Sequence, residues 1–83
     1  MAKSAKGKVT VVSAQRKALL FQLSEGDKPK GGYFLLKVDH EAYEIMSSMI
    51  ISAAFDPHRS ISAFTEQEIV PNEYAVVDHI NLT

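Results

Sequence analysis

Hydrophobic and polar positions along the chain change period several times, and each change marks an element. KVTVVSAQ, from Lys8, is rich in β-branched residues and nearly alternates, which predicts a strand. In KALLFQLSE, Leu19, Phe21 and Leu23 alternate with Ala18, Leu20 and Gln22, predicting a second strand with one strongly apolar face. Only Ala14 to Arg16 remain between the two, so they are expected to pair as an antiparallel hairpin. EGDKPKGG reads as a loop, since Gly26, Asp27, Pro29, Gly31 and Gly32 all favour turns. Its glycines and lysines do not make a phosphate cradle, because the segment leads into a strand pattern rather than a helix N-terminus. That next pattern, GYFLLKV, sets Phe34, Leu36 and Val38 against Tyr33, Leu35 and Lys37.

The period then lengthens. Asp39 stands as a candidate N-cap, Glu41 falls in a first turn where negative charge suits the helix dipole, and Pro57 stops the helix soon after Phe55. On a 100° wheel, Ala42, Ile45, Met46, Met49, Ile50 and Ala53 form one apolar stripe, with Tyr43 and Ala54 at its edge. Ile51 and Phe55 fall on the other side among Glu41, Glu44, Ser47, Ser48 and Ser52. The small serines would let another helix approach, so Ser47, Ser48, Ile51 and Phe55 are candidate residues of an interface between copies of the chain. RSISAFTEQ predicts a fourth strand, EIVPNE a loop, and YAVVDHINL a fifth strand. Strict alternation in that last strand places Tyr74, Val76, Asp78, Ile80 and Leu82 on one side, with Ala75, Val77, His79 and Asn81 on the other. Residues 1–7, MAKSAKG, are small and basic with nothing to bury, and read as a flexible tail before one domain spanning 8–83.

Three strands, a helix and two strands make a mainly β chain with one central helix. That is the order of the five-stranded oligonucleotide/oligosaccharide-binding (OB) barrel. An antiparallel α+β sheet with one packed helix is the alternative.

Composition narrows the function classes. The 83 residues suit a single domain that buries only ~60–65% of its unfolded surface, so association would aid its stability. A formal charge of −1 disfavours attraction of nucleic acid or anionic lipid by bulk field, and leaves only local patches for it. No cysteine is present, which excludes disulfides and thiolate metal sites. His40, His58 and His79 lack HxH or HxxxH spacing, so no metal or other cofactor is expected. No nucleophile-elbow or triad context appears among the many serines, and the chain reads as non-enzymatic. The window 44–55 is too short and too polar to span a bilayer, and MAKSAKGK has no apolar core of a signal. The expectation is a soluble protein, either cytoplasmic or secreted with its signal removed.

The YFLL run, the helix ending in SAAF, and the strands SISAFT and YAVVDHINLT together resemble the receptor-binding B subunits of bacterial toxins of the cholera and subtilase-cytotoxin type. The resemblance covers about residues 8–83 in element order. It implies an OB barrel that assembles into rings of five, with central helices lining the pore and the barrels binding cell-surface glycans. By fold analogy, Ser13, Gln15 and Arg16 near the first turn and Tyr33 on the third strand are the candidate ligand-binding residues, with a glycan or other small polar ligand as the expected partner. Single-stranded nucleic acid is the alternative ligand. A structural or interaction domain is the third reading.

Overall fold

The computed structural model describes residues 3–82. Its elements are β1 (Ser4–Ala14), β2 (Ala18–Glu25), β3 (Lys28–Pro29), β4 (Phe34–Lys37), α1 (Tyr43–Phe55), β5 (Ile61–Thr65) and β6 (Ala75–Leu82). Five strands close a ring of hydrogen bonds in the order β1–β2–β4–β6–β5 and back to β1, with β3 added beyond β2. All pairings are antiparallel except β4 with β6, where Phe34 lies beside Ala75 and Leu35 beside Val76.

The ring closes through a segment whose sequence looks like a tail. Residues 4–7 are strand: Ser4, Ala5, Lys6 and Gly7 pair with Phe64, Ala63, Ser62 and Ile61 of β5. Thr65 extends the pairing by donating its backbone N–H to the Lys3 carbonyl at 2.8 Å. Residues 1 and 2 of the expected tail, and residue 83 of the expected domain, lie outside the described residues. The first half of β1 serves β5, and the second half, from Lys8, serves β2. Gly7 sits at that handover. A Cβ there would stand 2.6 Å from the Ser24 carbonyl oxygen, so only glycine lets the two backbones cross so closely.

The expected loop at 25–32 also contains structure. Glu25 pairs with Lys28 across a two-residue turn, and Gly26 supplies the positive φ (63°) that a type II′ hairpin needs at its first position. β4 stops at Lys37, which leaves Val38 exposed rather than on the inward face with Phe34 and Leu36.

Inside the ring, Phe21 and Phe34 stack at 5.3 Å across β2 and β4, surrounded by Leu19, Leu23, Leu36, Ile61, Val77 and Ile80. Met46, Ile50 and Ala53 bring one stripe of α1 onto this cluster. The helix begins at Tyr43 with Ala42 as N-cap, and the Asp39 side chain does not cap it. His40 organises the approach instead. Its Nδ1 accepts the Ala42 N–H at 3.0 Å, so Nε2 carries the proton and donates to the Asp78 carbonyl at 2.7 Å. One imidazole thus ties the start of the helix to β6.

Strict alternation fails in two strands for the same reason. A register shift between Val9 and Val11 makes Thr10 an extra residue in β1, and another around Asp78 does so in β6. Each bulge flips the phase beyond it. Ala75, Val77 and Ile80 therefore all face inward, whereas alternation put Ile80 on the side opposite Ala75 and Val77.

Candidate functional site

With Phe21, Phe34 and Leu36 turned inward, Leu20 and Gln22 of β2 and Tyr33, Leu35 and Lys37 of the β4 segment occupy the outer face. Val76 continues that face onto β6 beside Leu35. Tyr33 and Tyr74, just before β4 and β6, meet as a tilted pair with ring centroids 6.0 Å apart, and are 40% and 61% exposed. Two large aromatic side chains that touch yet stay in water offer ring surface to a ligand.

What holds them there is a close backbone approach. Ala75 donates its N–H to the Tyr33 carbonyl at 3.0 Å. Gly32 lies directly against the backbone of Glu73, where any Cβ would collide with the peptide. The sequence therefore fixes the tyrosine pair through the glycine that precedes one partner and the loop that precedes the other.

At the far end of the face, a groove of about 770 Å³ is lined by Gln15, Arg16, Lys17, Leu35, Lys37 and Asp39. Three cations and one carboxylate share it. The turn is shaped by Gln15, whose backbone N–H reaches the Ala18 carbonyl at 2.8 Å and whose Nε2 donates to Ser13 Oγ at 2.6 Å. Lys37 stands four residues beyond Tyr33, so the cations and the tyrosines are separated by ~13 Å along β4.

The candidate residues thus divide. Ser13, Gln15 and Arg16 lie together at the groove end, and Tyr33 lies at the other. They share one face but cannot surround one small ligand. The sequence pattern does not single out Tyr74, Lys17 or Lys37. Alternation alone puts Tyr74 in the final strand with no partner, because its pairing with Tyr33 depends on the parallel β4–β6 contact, which no local pattern reveals. The 66–74 loop beside the tyrosines adds Glu66, Glu68 and Glu73 and contains no lysine or arginine. Lys28 and Lys30 stand in the segment that leads into Tyr33, and Lys30 shares a hollow with Gly31 and with Ile69 of the 66–74 loop.

A second outward cluster lies across β1, β5 and β6. Phe64 and His79, paired in register, stack at 4.4 Å with an interplanar angle of 10°, and His79 Nδ1 lies 2.8 Å from Asp78 Oδ2. Two rungs away, Lys6, Ser62 and Asn81 fall in one cross-strand row. On the helix, Ile45 is 69% exposed, not part of the core stripe, while Ile51 and Phe55 are exposed at 45% and 85%. Ser48 is exposed with them, but Ser47 turns back and donates its hydroxyl to the Glu44 carbonyl at 3.1 Å.

Among the described residues no cluster of histidine and acidic side chains could hold a metal ion, and no helix is long and apolar enough to cross a membrane. Compared with protein-family models, curated proteins and solved structures, the chain matches none significantly.

Proposed function

We propose that the chain is a non-enzymatic binding module of the OB type, and that it holds an acidic oligosaccharide along the outer face of β2, β4 and the start of β6. The closed strand order with one parallel pair and a helix between β4 and β5 supports the barrel reading. The observation that carries the ligand is the exposed Tyr33–Tyr74 pair on the same face as Arg16, Lys17 and Lys37. The tyrosine rings offer flat apolar faces to sugar C–H groups, and Gln22, the next residue after Phe21 on β2 and on the same outer face, adds an amide that can both donate and accept. The cations at the groove suit a carboxylate or sulfate. A separation of ~13 Å calls for an oligomer, with its acidic group at one end and a neutral ring at the other.

Charge decides between this ligand and single-stranded nucleic acid. A nucleic acid carries a phosphate at every unit and needs a basic track along its whole path beside the stacking residues. Here Lys28 and Lys30 precede Tyr33, but the loop that ends at Tyr74 holds Glu66, Glu68 and Glu73. An oligosaccharide acidic at one terminus avoids them.

The test is titration calorimetry with a panel of uronate- or sulfate-bearing oligosaccharides, their neutral counterparts and oligo(dT), each at two salt concentrations. The expected result is binding of an acidic sugar with a shallow salt slope, of about one to two ions. Oligo(dT) binding tighter than every sugar, with a steep salt slope, would replace the proposal with the nucleic-acid reading. Binding of neither class would overturn both.

A further inference from the structure

The outward face of α1 presents small residues between large exposed apolar ones. Looking down on it, Ser48 and Ser52 form a shallow seam one turn apart, flanked on one side by Ile45 and Leu82 and on the other by Ile51 and Phe55. Small residues along the middle and large apolar ones at the flanks let two helices approach closely while the flanks interdigitate.

The residues are also self-complementary in one orientation. If two helices pack antiparallel about an axis between Ser48 and Ser52, Ser48 of one copy faces Ser52 of the other and Ile45 faces Phe55. A two-fold interface demands this reciprocity, since every contact must occur twice with the roles exchanged. Charge points the same way. The N-terminal end of the face carries Glu41 and Glu44, and the last turn carries no basic residue, but Arg59 follows directly in the turn after the helix. There Arg59 lies 3.8 Å from Asp56, and both are about half exposed. Antiparallel packing sets Glu41 of one copy opposite Arg59 of the other and Glu44 opposite Asp56, which Arg59 already neutralises, and it opposes the helix dipoles. Parallel helices, as in a ring around a pore, would set the glutamates of neighbouring copies side by side.

The area is sufficient. At roughly 200 Å² per large side chain, Ile45, Ile51, Phe55 and Leu82 leave roughly 500 Å² of apolar surface in water, at the upper end of what a monomer usually exposes. Two such faces with their serines and flanks would remove ~1,200 Å² from water, the lower limit for a specific stable interface.

We infer that this chain forms a two-fold dimer by antiparallel packing of α1 on α1, independently of any ligand on the β2–β4 face. Sedimentation equilibrium at 1–100 µM tests it, with circular dichroism to confirm that each variant is folded. The wild-type protein is expected to dimerise, and Phe55→Glu and Ile45→Glu each to raise the dissociation constant at least tenfold. Glu41→Arg and Arg59→Glu should each weaken it a few-fold, and the double variant should regain most of the loss. A wild-type monomer at 100 µM, a larger ring, or a dimer unaffected by both apolar substitutions would overturn the inference. So would single charge reversals that weaken association with no recovery in the double variant.

Discussion

Gly7 offers a sharp test of how the ring closes. A Cβ at this position would meet Ser24 backbone atoms at 2.6, 3.0 and 3.1 Å, oxygen, carbon and nitrogen respectively. Because all three belong to the main chain of β2, no side-chain rotation can relieve the contact, and β1 and β2 would have to separate. Overpacking of this kind costs about 1–3 kcal/mol. Alanine also stiffens the unfolded chain relative to glycine, which returns about 0.4–1 kcal/mol. The net expectation for Gly7→Ala is a loss of about 1–2 kcal/mol, and Gly7→Val, with two more methyl groups at the crossing, should lose more. For a domain of 83 residues, each kcal/mol corresponds to about 4–8 °C in Tm, so Gly7→Ala should melt about 5–15 °C lower. Urea unfolding should show a lower midpoint with an unchanged slope, as expected when stability alone falls. If both variants unfolded within about 0.5 kcal/mol of the wild type, the crossing would not be closely packed. Residues 4–7 would then behave as the tail that their composition suggests, and the ring would not close through them.

Other substitutions probe the core, the helix start and the binding face. Ile50→Ala, at the centre of the buried helix stripe, should cost about 2–5 kcal/mol in urea unfolding. His40→Ala removes both the acceptor for the Ala42 N–H and the donor to Asp78, and should cost about 1–2 kcal/mol, with increased amide exchange in the first turn of α1. Tyr33→Ala and Tyr74→Ala, both at exposed positions, should weaken an acidic oligosaccharide about tenfold each by calorimetry while leaving the fold intact. Arg16→Glu should weaken the acidic sugar and not its neutral counterpart.

Much of the fold is legible in the sequence wherever a single local period persists. From Leu19 onward β2 alternates, Phe21 and Leu23 point inward as expected, and the helix ends before Pro57. The departures have particular causes. Residues 4–7 are strand because β5 pairs with them, and Ser, Ala, Lys and Gly carry no β signal of their own. One inserted residue at Thr10 or Asp78 reverses the inward face, and nothing in the local composition marks it. The wheel puts Ile45 in the core stripe because α1 is apolar nearly all round and its wheel has no sharp centre. The ring takes the stripe through Met46, Ile50 and Ala53, and Ile45 falls at its border. Of the candidate binding face, Arg16 is the one cation legible locally; Lys17 beside it and Lys37, which the β2–β4 pairing brings next to Ala18, are not. Nor is the tyrosine pair, since it joins residues about forty positions apart through the parallel contact of β4 with β6.

The proposed binding face is tested most directly by amide and side-chain chemical-shift mapping of the ¹⁵N,¹³C-labelled protein during titration with the acidic oligosaccharides. The account predicts saturable shifts that run continuously from Tyr74 and Tyr33 through Leu35 to Lys37 and Arg16, and leave the exposed face of α1 unmoved. Shifts confined to the Phe64–His79 cluster, or none with any acidic sugar, would contradict it.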